Sequence, residues 1–314
     1  MSSPSSAGPS LPASPPASRP APHGSHPHGS RADTLIGGSF IVAWSTGYLA
    51  GAVAVAHGGP FTMLVLRFGL SAAVFGLLML AARVAWPGPQ ALRHSAVVGV
   101  LTMAVQFGGV YAAMHLGASP GLSALVIGTM PLTVAALAWL LGERIAPRQW
   151  LGLVLGLAGV LLVIGERLLH ARATLAACAA LVVGLLGISA GTLYQKRHAS
   201  GGDLRAGLFV QNAAGALVLL PLAWGLEHFR VEAGWPFYGS LAWLVLVNSV
   251  LGFALLFVLI RHGAATKVAA LFYLVPPVTA VMSRVGMRET LSALEIAGFA
   301  LAALGVWLGS RNPG

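Results

Sequence analysis

Arg67 is an isolated charge inside the apolar run 61–82. A guanidinium can hold a carboxylate or phosphate through two parallel hydrogen bonds. A cation at the centre of a bilayer costs at least about 2.5 kcal/mol, so it needs a wet cavity or a partner. Otherwise its long stem must carry it to the headgroups. Trp44 and Tyr48 are four residues apart and share one helix face. They can form an aromatic wall for a planar or cationic solute, or they can be packing. Gln106, Tyr111, Gln211, Asn212, Asn248 and Tyr273 also fall at or near the middle of apolar runs. Their donors and acceptors can orient a solute, or serve interhelical hydrogen bonds worth roughly 0.6 kcal/mol each.

Other chemistry is less well supported. Gly187 to Gly191 reads G-x-S-x-G around Ser189, the nucleophile-elbow pattern, which requires a strand–turn–helix. Here it falls in an apolar run, and its base would have to be His115 or His262. The acidic residues are Asp33, Glu143, Glu166, Asp203, Glu227, Glu232, Glu289 and Glu295. All lie in the tail, in loops or at helix ends, so no mid-membrane carboxylate relay is expected. His23, His26 and His28 could meet a metal, but they sit in a low-complexity tail. The single cysteine, Cys178, excludes an intrachain disulfide and a multi-cysteine metal site. No Walker A string is present, which disfavours ATP-driven chemistry. Neither metal nor cofactor is expected.

The elements that must position these residues are set by composition. Of 314 residues, 57% are hydrophobic and 8% charged, against roughly 25% charged in a soluble domain. The solvent must therefore be largely lipid, and the lipid bilayer is the first partner. The net charge of +10 is scattered singly and in pairs rather than gathered into a stripe, which argues against nucleic acid. Residues 1–34 read as a disordered tail, with eight Pro and nine Ser among the first thirty. Ten apolar runs follow, at 35–56, 61–82, 95–116, 120–141, 149–165, 173–194, 205–226, 238–260, 264–285 and 293–310. Each approaches the length needed to cross the hydrocarbon core as a helix. With the N-terminus inside, twelve Lys and Arg fall on the cytoplasmic side and five outside. That bias predicts both termini in the cytoplasm.

The sequence also repeats. Displaced by 146 positions, Gly117 falls on Gly263, Leu125 on Leu271, Pro131 on Pro277, Glu143 on Glu289, Gly152 on Gly298 and Gly159 on Gly305. A displacement of 144 aligns Ser45 with Ser189 and Gly47 with Gly191. The repeats are 35–165 and 173–310, each of five helices. Five is odd, so the second enters the membrane from the opposite side. Inverted pairs of this kind generate alternating access around a seam. Pro131 and Pro277 can bend their helices and act as paired hinges. Glu143 and Glu289 read as turn residues with Arg144 and Arg288 beside them. Gly152, Gly156 and Gly159 form a small-residue face, for packing within the chain or for a homodimer.

At these residues the chain resembles the drug/metabolite transporter superfamily, in its ten-helix EamA-type branch. The stretch from Ala113 to Val163 and its copy at 259–308 carry the resemblance: a helix with a central Pro, a Gly-Glu turn, then a Gly-rich helix. Arg288 replaces the Gly before the second Glu. The resemblance covers roughly 35–310 and implies a secondary carrier, an exporter of a small molecule such as an amino acid, other metabolite or drug. Localisation in a bacterial inner membrane is expected with it. A membrane scaffold or sensor, and remotely an intramembrane hydrolase using Ser189, are the alternatives.

Overall fold

The computed structural model describes residues 31–198, 202–261, 271–272 and 274–310. Among the described residues, ten helical segments have defined bounds: α1 (Arg31–Ala56), α2 (Pro60–Ala81), α3 (Pro89–His115), α4 (Pro120–Leu140), α5 (Pro147–Leu169), α6 (Leu175–His198), α7 (Leu204–Glu227), α8 (residues 235–261), α9 (Val275–Met287) and α10 (Ala293–Ser310). The first eight are long and apolar enough to cross a membrane. The apolar part of α10, Ala293–Gly309, is shorter, and α9 is described only from Val275. Among the described residues there is no strand, only an isolated bridge between Gly58 and Val231. The protein is an all-α integral membrane protein built from two inverted five-helix repeats.

Local chemistry explains where the helices begin. Pro60, Pro89, Pro120 and Pro147 sit in the first turns of α2 to α5, where the missing N–H would have no partner anyway. Ser119 Oγ accepts from Leu122 N (3.2 Å) at the start of α4, and Asp203 Oδ1 accepts from Arg205 N (2.8 Å) at the start of α7. Glu227 reaches back across the fold to cap α2, accepting from Phe61 N (2.9 Å) and Thr62 N (2.6 Å).

The inversion is visible in how the repeats pack. α5 lies on α10, and α2 lies on α7. A Cβ on Gly152 would stand 2.6 Å from Gly305 O, and one on Gly159 would stand 2.6 Å from Gly298 O. Rising numbers on α5 thus meet falling numbers on α10, so the two helices are antiparallel. The turns holding Glu143 and Glu289 precede α5 and α10, and therefore lie at opposite ends of the bundle. The glycine face of α5 is used inside the chain, because only hydrogens fit where the backbones meet.

Two helices in each repeat are interrupted at corresponding places. α4 breaks at Thr129 and α9 begins after Leu274. α3 contains a π-helical segment, Val100–Phe107, and α8 contains another, Leu244–Leu251. These segments coincide under the 144-residue displacement. A π turn widens the helix and re-aims its side chains, and such turns cluster at functional sites.

Candidate solute cavity between the half-bundles

The helices sort into two groups that mix the repeats. α1, α8 and α9 pack together, as do α3, α4 and α6. Between them lies a cavity of about 320 Å³, at the lower end of the roughly 300–1,000 Å³ usual for small-molecule sites. On the Glu289 side the groups touch. Tyr111 Oη donates to Gly47 O (3.5 Å), and His115 Nδ1 lies 3.3 Å from Val55 O. The cavity extends away from these contacts, toward the Glu143 side. The cavity wall runs in that direction as far as Gln195, three residues before α6 ends at His198.

Arg67 is buried in the wall, 5% exposed. It lies seven residues from Pro60, about 10 Å along α2 at 1.5 Å per residue. It does not snorkel. Its Nη1 donates to Tyr111 Oη (2.9 Å), while its Nε is buried without a partner. The guanidinium lies 4.7 Å from the centre of the Phe107 ring, 5.6 Å from Phe68 and 6.0 Å from Tyr111. Removing an ion from water costs several kcal/mol. A desolvated ring face returns about 2 kcal/mol and a charge-assisted hydrogen bond about 1.5–3 kcal/mol. No carboxylate among the described residues forms an ion pair with Arg67.

Of the expected site residues, Trp44, Tyr48, Arg67, Gln106, Tyr111, Gln211, Asn212 and Asn248 all line this cavity, with Pro131. The π segments of α3 and α8 bring Gln106 and Asn248 into it. Asn248 Nδ2 donates to Ala43 O (2.7 Å) and Asn212 Nδ2 to Leu208 O (2.8 Å). Trp44 packs edge-on against Phe253 and Phe272, at 6.0 and 5.4 Å between ring centres. Tyr273, His262 and the histidines of the tail lie outside the described residues.

Several placements differ from the sequence reading. Pro131 and Pro277 stand in the first turns of half-helices rather than within continuous ones. Pro276, not Pro277, faces the cavity; Pro277 lines a small crevice beside Phe299. Glu143 and Glu289 do not pair with their neighbours Arg144 and Arg288. Glu143 accepts from Arg197 at 2.6 Å on the surface, which holds its carboxyl below the usual range, chiefly through that hydrogen bond. Glu289 accepts from Ser283 and pairs with Arg167 at 2.6 Å. Arg167 also reaches Ser119 Oγ (2.7 Å) and Glu295 (3.1 Å). This buried cluster ties α4 and α5 of the first repeat to α9 and α10 of the second. Ser189 lies on the continuous helix α6, fully buried, not on the strand-to-helix turn that the elbow chemistry needs.

Gln195, Thr102, Thr192 and Ser249 also line the cavity, and sequence reasoning passed over them. Gln195 fell outside the expected end of helix 6; α6 continues to His198. The polarity of Gln195 and its one-turn distance from Gly191 were the available signal.

Comparison with known proteins agrees with this architecture. The signature of the EamA-like transporter family matches residues 35–165 and again 173–311. The chain is 26% identical over 265 residues to the "Uncharacterized inner membrane transporter YedA" of Escherichia coli K12, covering 83% of this chain and 85% of that protein. It is 24% identical over 289 residues to a "Probable amino-acid metabolite efflux pump" of Salmonella typhimurium LT2, covering 89% and 95%. A solved structure titled "Crystal structure of protein" superposes with a TM-score of 0.62 at 22% identity, over 89% of this chain and 96% of that one, a likeness of fold. With both five-helix units matched in turn and the whole bundle shared, this multi-pass membrane protein belongs to the EamA-like transporter family.

Proposed function

We propose that the chain is a secondary carrier that exports a small metabolite, amino acid or drug across a bacterial inner membrane by alternating access. The carrying observation is a cavity between two half-bundles that meet at the Glu289 end, with a wall that runs toward the Glu143 end as far as Gln195. Inverted repeats make the mirror-image state equally accessible in principle, because each repeat can adopt the conformation of the other. With both termini in the cytoplasm, as the charge bias favours, the cavity faces inward and the Arg167 cluster seals the outer seam. The solute then sits near Arg67, between the aromatic rings and the amides of α3, α7 and α8. Pro131 and Pro277, at the starts of the two half-helices, are the places where α4 and α9 can swing. The printed name of the Salmonella relative supports efflux of an amino-acid metabolite as the first class to test.

Liposomes containing only this protein, loaded with metabolite extract, provide the test. Time-dependent release of a defined solute, absent from empty liposomes, is expected. No release of any component, with folded protein in the bilayer, favours the scaffold or sensor reading instead.

A further inference from the structure

We propose that the cavity is selective for organic monoanions: solutes carrying one carboxylate on a flat apolar body. Flux of such a solute rests on the carrier reading above; binding does not. Among the described residues lining the cavity, Arg67 is the only charged one. Its surroundings leave that charge unmatched. The partner of Nη1 is a neutral phenol, Nε has no partner, and no described acid pairs with it. The ring faces offset part of the desolvation and supply no counter-charge.

A carboxylate completes the site with the parallel hydrogen bonds that suit a guanidinium. A phosphate does so less well, because it brings a charge of about −1.5 to −2 against one fixed cation. A cationic solute meets a like charge in a low-dielectric wall. The rings that could favour a cation are already engaged: Arg67 lies over the Phe107 and Phe68 rings, and Trp44 is in T-shaped contact with Phe253 and Phe272. A neutral solute leaves the guanidinium unpaired. The remaining wall is mostly apolar and aromatic, which fits a flat body.

Three probes of one shape decide the matter: phenylacetate, phenylacetamide and phenethylamine. Calorimetric titration of the purified full chain in detergent is expected to give at least about tenfold tighter binding of the anion than of the other two. Arg67→Gln is expected to remove that preference while leaving phenylacetamide within about twofold. Equal affinities in the wild type, or binding of none of the three, overturn the proposal even if the variant does not fold. An Arg67→Gln protein that is monodisperse and keeps the anion preference also overturns it. Proteoliposomes separate the two readings. Anion-selective binding without flux removes the carrier and leaves this proposal. Flux with no preference among the probes does the reverse.

Discussion

Replacing Arg167 with Gln should open the seam that Arg167 seals. The Arg167 side chain is 3% exposed and that of Glu295 fully buried, with 3.1 Å between their charged groups; Glu289 lies 2.6 Å away on the other flank. Removing one member of a buried pair costs about 3–5 kcal/mol, because the partner charge stays buried and unmatched. Arg172 remains 3.8 Å from Glu295 but is itself 38% exposed, so the lower end of that range, about 3 kcal/mol, is the better figure. The cost falls on the state in which the seam is shut, since parting the half-bundles returns Glu289 and Glu295 to water. At about 1.4 kcal/mol per factor of ten, the population with an open seam rises roughly a hundredfold. Ala280 is the reporter position: it is 4% exposed and faces Gly121 across the seam. In an Ala280→Cys, Cys178→Ser background, a membrane-impermeant maleimide should label the introduced thiol slowly, and about a hundred times faster with Arg167→Gln. The buried Cys178, tested alone in the Arg167→Gln protein, should stay unlabelled, which separates opening from unfolding. Adding Glu289→Gln and Glu295→Gln should restore slow labelling, because no orphaned charge then remains. Unchanged labelling in a folded Arg167→Gln protein, or faster labelling that persists in the triple variant, refutes the reasoning.

Two further expectations concern stability. Gly159→Ala should cost about 1–3 kcal/mol, because the new methyl meets the backbone of Gly298 and Ala302 and the helices must part; Gly69→Ala, with nothing within 4 Å, should leave the melting temperature unchanged or slightly raised. Asp203 caps α7, and its side-chain hydrogen bond to Arg205, the largest of the causes, lowers its pKa from 3.8 to about 2. A lowered folded-state pKa contributes stability above the ordinary value and loses it as pH falls through the folded one. The melting-temperature gap between wild type and Asp203→Asn should therefore be constant from neutral pH to about pH 5 and shrink between about pH 4 and pH 2.

Much of the architecture follows from one-dimensional properties. Length and apolarity of the runs dictate helices in lipid, because an unpaired backbone cannot be left in hydrocarbon. Paired Pro, Glu and Gly at a fixed displacement, with an odd number of helices per copy, dictate inversion. Arg67, Trp44, Tyr48 and the buried amides could be singled out because polarity inside an apolar run is costly wherever the run packs. Tertiary structure decided the rest. These helices are apolar nearly all round, so the sequence does not mark which face is core and which is lipid-facing. Rotation of each helix is set by steric fit instead, such as the glycine contact of α5 with α10. That fit turns Pro276 rather than Pro277 to the cavity and brings in Gln195. The same fit pairs Glu143 with Arg197 and Glu289 with Arg167, across separations of 54 and 122 residues. Each of the two glutamates has an arginine beside it in sequence, but ion pairing depends on distance in space, and only the folded bundle sets that distance.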